Sequence, residues 1–140
     1  MINVFCNKRG SGKTKALIDL ANQKIHNADG QMVYIDDDKR PMYSLDRRIR
    51  FITTEDYEVK DCNEFYGLLC GILSGNYDVD MIFVDGLNNI VSGSMEDMAH
   101  LFCRLESFCK KNGVEMYINL NSDISQEGMP EFLKKYVKAA

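Results

Sequence analysis

The sequence predicts an α/β fold, a three-layer sandwich in which a mostly parallel β-sheet lies between two layers of helices. Three observations predict it. Short apolar segments of strand length alternate with longer segments whose apolar residues recur at helical spacing. Buried strands separated by amphipathic helices are typical of a parallel sheet that is covered on both faces. The 140 residues, 45% of them hydrophobic, suffice for one domain over residues 1–140.

The first half of the chain contains three strand-like segments and one helical segment. Residues 2–6 and 32–35 are short apolar runs, and both are predicted to be buried strands. Residues 12–26 carry apolar side chains at helical spacing, which predicts a helix with Gly30 as its stop. Residues 48–53 alternate in part between apolar and polar side chains, which predicts a strand at the edge of the sheet.

Two pairs of residues mark the starts of helices in the second half. Asp61 and Glu64, and likewise Ser94 and Asp97, have the three-residue spacing of a capping box. Each pair precedes a segment with apolar residues at helical spacing, and each segment closes at a glycine. Pro130 fits the first turn of a last helix.

The two remaining predicted strands are residues 80–84 and 114–120. Parallel sheets of this kind bind ligands at the carboxyl ends of their strands. We therefore expect residues 5–14, 36–40 and 85–93 to share one rim of the sheet. The last of these segments is polar and is predicted to be a loop before a helix.

Composition argues against several classes of function. The net charge is −4, from 17 basic and 21 acidic residues, whereas general binders of nucleic acid or membrane surfaces are usually basic. No stretch approaches the roughly 20 apolar residues of a membrane span, and the N-terminus does not resemble a secretory signal. The five cysteines include no CxxC pair, and with only two histidines the sequence has no spacing typical of zinc ligands. A cytoplasmic protein without membrane or nucleic-acid partners is expected.

The most informative segment is N-K-R-G-S-G-K-T, between the first predicted strand and the first predicted helix. Its glycines let successive backbone N–H groups point inward around an anion, and the helix adds its positive N-terminal end. Lys13 is expected to reach the β- and γ-phosphates of a nucleotide, and the Thr14 hydroxyl to coordinate Mg²⁺. The alternative is a glycine-rich turn that only caps the helix. The predicted nucleotide-binding residues are Asn7, Lys8, Arg9, Gly10, Ser11, Gly12, Lys13, Thr14 and Lys15.

Carboxylates follow two other predicted strands. Asp85 ends an apolar strand, the pattern that holds Mg²⁺ in many nucleotide-binding proteins, although it could also be a turn residue. Many ATPases have a water-polarising glutamate at the next position, where this chain has Gly86. Asp36 or Asp38 is the predicted substitute, as a catalytic residue that positions water or acts as general base. A solvated acidic turn is the alternative for that pair.

At these residues the sequence resembles the P-loop NTPase superfamily. Residues 8–14 resemble the deviant Walker A loop of MinD/ParA-type ATPases, K-G-G-x-G-K-S/T, and Lys8 falls on its signature lysine. In that family the lysine contacts nucleotide across a dimer, so the resemblance implies a homodimer. Residues 34–38 resemble the family's second motif, and residues 77–85 resemble its Walker B strand. The resemblance implies ATP and Mg²⁺ as cofactors.

The chain departs from that pattern at two positions of the loop. Arg9 stands where the family has glycine, and Lys15 stands where it usually has a second threonine. Residues 35–43 are also similar to the I-D-D-D-K-R-x-M-Y segment of small bacterial P-loop proteins, some of them labelled twitching-motility ATPases. That second resemblance implies a nucleotide-binding protein.

The function predicted from the sequence is Mg·ATP binding, by a slow ATPase or a nucleotide-dependent switch. ATP or ADP is preferred to a guanine nucleotide because no N-K-x-D motif occurs, and Asn119 begins only a partial match. One alternative is a non-catalytic module that binds nucleotide and a protein partner, which Gly86 favours. The other is a phosphotransferase in which Asp36 or Asp38 binds the acceptor hydroxyl.

Overall fold

The structure, a computed structural model, describes residues 1–7, 12–121 and 129–137. The strands in this part of the chain form one five-stranded sheet in which all neighbouring strands are parallel. They are β1 (Ile2–Asn7), β2 (Gln31–Asp36), β3 (Ile49–Thr53), β4 (Val79–Val84) and β5 (Glu115–Asn121). Their order across the sheet is β1-β5-β4-β2-β3, so β3 lies at an edge, as predicted.

Helices connect the strands. The α-helices of the described residues are α1 (Lys13–Lys24), α2 (Cys62–Gly75), α3 (Leu87–Ile90), α4 (Met95–Asn112) and α5 (Glu131–Lys134). Short 3₁₀ turns cover Ile25–Asn27, Arg40–Ser44 and Thr54–Tyr57. Within the described ranges, no helix is long and apolar enough to cross a bilayer.

The sheet is covered on both faces, which confirms the three layers. Leu17 and Ala21 of α1 pack with Tyr34 and Phe83 on one face. On the other face α2 and α4 supply most of the helical side chains of a larger core. Full burial of an aliphatic or aromatic side chain contributes about 1.5–3 kcal/mol, so these two layers dominate the stability of the fold.

A row of four aromatic rings crosses the sheet beneath α1. The strand register aligns Phe51, Tyr34, Phe83 and Tyr117 side by side on β3, β2, β4 and β5. Neighbouring rings are stacked, with centroids 6.2, 6.1 and 5.0 Å apart in that order. The row forms part of the core that packs against α1.

Both predicted capping boxes are present. The Asp61 carboxylate accepts a 2.8 Å bond from the Glu64 N–H, and the Glu64 carboxylate accepts a 3.1 Å bond from the Asp61 N–H. Ser94 and Asp97 make the same reciprocal pair, at 3.1 and 2.9 Å. Gly113, at φ 66°, ends α4 in the left-handed conformation expected of a helix stop.

Two local predictions were wrong. Gly30 does not end the first helix, because a 3₁₀ turn follows α1 before the chain reaches Gly30. A glycine is needed at this position for another reason, since a Cβ there would collide with the Asp78 carbonyl oxygen. The polar segment after Asp85 is not all loop. It forms the single turn α3, because Leu87 and Ile90 are buried in the core. The predicted last helix is present as the single turn α5, with Pro130 directly before its first residue.

Candidate functional site

A cleft of about 910 Å³ lies at the carboxyl ends of the strands, beside the N-terminus of α1. It brings together residues that are far apart in the sequence but share the predicted rim. The predicted site residues that line it are Gly12, Lys13, Thr14, Lys15, Asp36, Asp38 and Asp85. Asn7 is the last residue of β1. The side chain of Asn7 and the residues Lys8, Arg9, Gly10 and Ser11 lie outside the described residues.

The helix α1 begins directly after a glycine in the left-handed conformation. Gly12 has φ 83°, a left-handed angle that other residues adopt only at a cost, and its carbonyl accepts the Ala16 N–H at 3.0 Å. Lys13 is buried, and its carbonyl accepts a 3.0 Å bond from the Asn119 side chain on β5. The first turn of α1 is thereby tied to the sheet, with its positive end directed at the cleft.

Asp85 is held by donors from three elements. Its Oδ1 accepts bonds from the Thr14 hydroxyl at 3.3 Å and from Asn119 Nδ2 at 3.4 Å. Its Oδ2 accepts a 2.8 Å bond from the Tyr34 hydroxyl. Only 4% of Asp85 is exposed, so these contacts replace water around a buried carboxylate.

The donor set at Asp85 fits Mg²⁺. A carboxylate and a hydroxyl within hydrogen-bond distance are hard oxygen ligands, which this cation prefers. No group of three or more His, Cys, Asp or Glu side chains among the described residues could hold a metal by itself. Mg²⁺ commonly completes its shell with water and phosphate oxygens, so this pair suits a cation that arrives with a phosphate ligand.

Asp36 is an unusual carboxyl group. It ends β2, only 6% of it is exposed, and its Oδ1 accepts a 3.1 Å bond from the Asp38 N–H. Burial raises the pKa of Asp36 to about 9, with smaller contributions from a hydrogen bond with Asp37 and from the charge of Asp85. Strongly perturbed carboxyl groups in a cleft are typical of functional sites, because they exchange protons in the working pH range.

Asp38 lies at the mouth of the same cleft but has a different environment. Its carboxylate receives hydrogen bonds from the Arg40 side chain and backbone, at 2.6 and 2.8 Å. These bonds lower the pKa of Asp38 below its ordinary value. The two predicted catalytic aspartates therefore differ, since one is buried and protonated and the other is ionised and paired.

Two side chains outside the predicted site contact its residues. In the sequence Asn119 begins only a partial guanine motif, yet its side chain donates to the Lys13 carbonyl and to Asp85. Tyr34 lies within an apolar strand, and its hydroxyl donates to Asp85. A polar amide within the apolar strand β5 was a usable signal, because a buried amide must find partners.

The turn after Asp85 is closely packed. Gly86 has φ 69°, and a Cβ there would lie 3.1 Å from Nδ2 of Asn89 and 3.4 Å from Nδ2 of Asn121. Asn88 pairs with the backbone of Asn121, donating to its carbonyl at 2.5 Å and accepting its N–H at 3.0 Å. These bonds therefore join the end of β5 to the start of α3.

Gly86→Ala is expected to destabilise the chain by about 1–2 kcal/mol, the cost of a left-handed angle for a residue with a Cβ. The matched control is Gly71→Ala in α2, where a Cβ meets no neighbouring atom. That variant is expected to gain about 0.5–1 kcal/mol from reduced chain entropy. Urea unfolding measures the free energy of unfolding of both variants. A change of the same sign in the two variants would contradict this explanation of Gly86.

Comparison with known proteins supports the fold alone. No family model and no curated protein matches the sequence. Among solved structures, the flagellar accessory protein FlaH from Methanocaldococcus jannaschii matches with a TM-score of 0.53 and 14% identity. The match covers 91% of this chain and 62% of FlaH, so the chain spans less than two thirds of FlaH's length. The predicted three-layer α/β fold with a parallel sheet is confirmed.

Proposed function

We propose that the chain binds Mg·ATP in this cleft and acts as a slow ATPase or as a switch controlled by the bound nucleotide. One observation carries the proposal. The buried carboxylate of Asp85 accepts a hydrogen bond from Thr14, 71 positions away, at the first turn of a helix that follows a glycine-rich segment. A hydroxyl, a carboxylate and a helix N-terminus that lie close together support the proposal, because they are the groups that proteins use to bind a phosphate with its cation.

The phosphates are proposed to lie over the N-terminus of α1, with the Lys13 ammonium on the β- and γ-phosphates. Thr14 and Asp85 would hold Mg²⁺, which when bound would neutralise charge on the phosphate oxygens. Further phosphate contacts are proposed for Asn7, Lys8, Arg9, Gly10, Ser11, Gly12 and Lys15.

Asp36 is the proposed general base for the attacking water, in preference to Asp38. Asp36 is buried in the cleft and close enough to Asp85 for their charges to interact, whereas Asp38 is committed to Arg40. Because the pKa of Asp36 is about 9, its basic form is scarce at neutral pH. Turnover is therefore expected to be slow.

The alternative is a module that binds nucleotide without hydrolysing it. The packing around Gly86 favours this alternative, since a glutamate there would need a left-handed backbone and the space of Asn89. The homodimer implied by Lys8 also remains a proposal. Sedimentation of a monomer, with and without Mg·ATP, would contradict it.

Calorimetric titration with ATP, ADP and GTP, each with Mg²⁺, tests the proposal. ATP and ADP are expected to bind, and GTP to bind more weakly. A phosphate-release assay on the same samples is expected to give a rate well below the roughly 10 per second of a typical enzyme. Binding without any phosphate release would support the non-catalytic module, and no binding by the wild-type chain would overturn the proposal.

A further inference from the structure

The hydroxyl of Tyr34 is the one polar atom of the stacked pair of rings formed by Tyr34 and Phe83. Tyr34 is fully buried on β2, with Phe51 stacked on its other side. The two neighbours confine the ring, so its hydroxyl has a narrow range of positions. It donates to Asp85 Oδ2 at 2.8 Å, the shortest of the hydrogen bonds to Asp85 described above.

The two oxygens of Asp85 are thereby given different partners. Oδ2 is engaged by the phenol, and Oδ1 faces the hydroxyl of Thr14 and the amide of Asn119. A free carboxylate could rotate about its last torsion and turn both oxygens away from α1. The hydrogen bond from the confined Tyr34 ring opposes that rotation, so one oxygen stays directed at the side of α1.

We infer that Tyr34 is a positioning residue for the cation, acting through Asp85 rather than by contact with the ligand. The inference deepens the proposed function and rests on it. Removal of a partner that orients a metal-binding carboxylate commonly lowers metal affinity by about 10-fold to 100-fold.

Tyr34→Phe tests the inference, because it keeps the stacked ring and removes only the hydroxyl. The affinity for ATP is measured with Mg²⁺ and with EDTA, and thermal unfolding is measured without nucleotide. We expect ATP affinity with Mg²⁺ to fall by about 10-fold while affinity in EDTA stays unchanged. The matched control is Tyr117→Phe, which removes the hydroxyl of another ring in the same row. For this control, the ratio of the ATP affinity with Mg²⁺ to the ATP affinity with EDTA is expected to equal that of the wild type.

The outcomes separate the inference from the proposed function. If Tyr34→Phe lowers ATP affinity equally with Mg²⁺ and with EDTA, the hydroxyl has only a structural role and the inference is overturned. The same follows if Tyr34→Phe and Tyr117→Phe behave alike. In both cases a wild-type chain that binds Mg·ATP leaves the proposed function intact, whereas a wild-type chain that does not bind overturns both.

Discussion

Lys13→Met is expected to lower the affinity for Mg·ATP by at least about 100-fold, which corresponds to about 2.8 kcal/mol. Lys13 is the first residue of α1 and is buried beside the proposed phosphate site. A charge-assisted hydrogen bond contributes about 1.5–3 kcal/mol, and a phosphate chain offers several acceptors to one ammonium group. Methionine keeps most of the buried alkyl stem, so the change isolates the charge.

The control for this variant is Lys24→Met, which removes the same charge from the last turn of the same helix. Lys24 lies over the ring of Tyr117, away from the residues that line the cleft. Calorimetry is expected to give wild-type affinity for this control. A similar loss in both variants would indicate an effect of net charge or of folding rather than a phosphate contact.

Asp36→Asn is expected to stabilise the chain without ligand by about 2–4 kcal/mol near pH 8. The pKa of Asp36 is about 9 in the folded chain, against an ordinary value of 3.8. Folding at neutral pH must therefore take up a proton, and this requirement lowers stability. Asparagine resembles the protonated acid in shape, keeps an acceptor for the Asp38 N–H and has nothing to titrate.

The direction of the pH dependence follows from the same values. Because the folded pKa is raised, the contribution of Asp36 to stability is fully present below about pH 4 and is lost as pH rises towards about 9. Denaturant unfolding between about pH 5 and about pH 8 is expected to show falling stability for the wild type and a flatter profile for Asp36→Asn.

Two further measurements complete this prediction. Asp38→Asn is the control, and no gain in stability is expected because Asp38 is ionised and paired with Arg40. Asp36→Asn is also expected to retain nucleotide binding while it loses phosphate release, since an amide cannot take a proton from water. An Asp36→Asn chain less stable than the wild type near pH 8 would contradict the account of this residue.

The sequence predicted the layers well because their signals are local. Continuous apolar runs indicate strands that are buried on both faces. Each capping box, at Asp61 and at Ser94, spans only four residues and indicates the start of a helix. The common rim was predictable from the rule that parallel strands end on one edge. The prediction for Gly30 failed because the reason for a glycine there is not local. The carbonyl oxygen of Asp78, from another segment, leaves no space for a Cβ.

The chemistry of the site depended on contacts between distant residues, which the sequence did not reveal. Placing β5 between β1 and β4 brings Asn119 to both Lys13 and Asp85. The pKa values of Asp36 and Asp38 shift in opposite directions because Asp36 is buried, whereas Asp38 lies at the mouth of the cleft and accepts a hydrogen bond from Arg40. Residue types alone offered no means to separate them.

Amide chemical shifts in the ¹⁵N-labelled chain would show whether Mg·ATP binds at the N-terminus of α1. On addition of Mg·ATP, the largest shifts are predicted at Gly12 to Lys15, with further shifts at Asp36 and at Asp85. The groove between α2 and α4, which includes Tyr66 and lies apart from these residues, is predicted to stay unchanged. Shifts centred on that groove, with the N-terminus of α1 unaffected, would show that the nucleotide binds elsewhere than at the carboxyl ends of the strands.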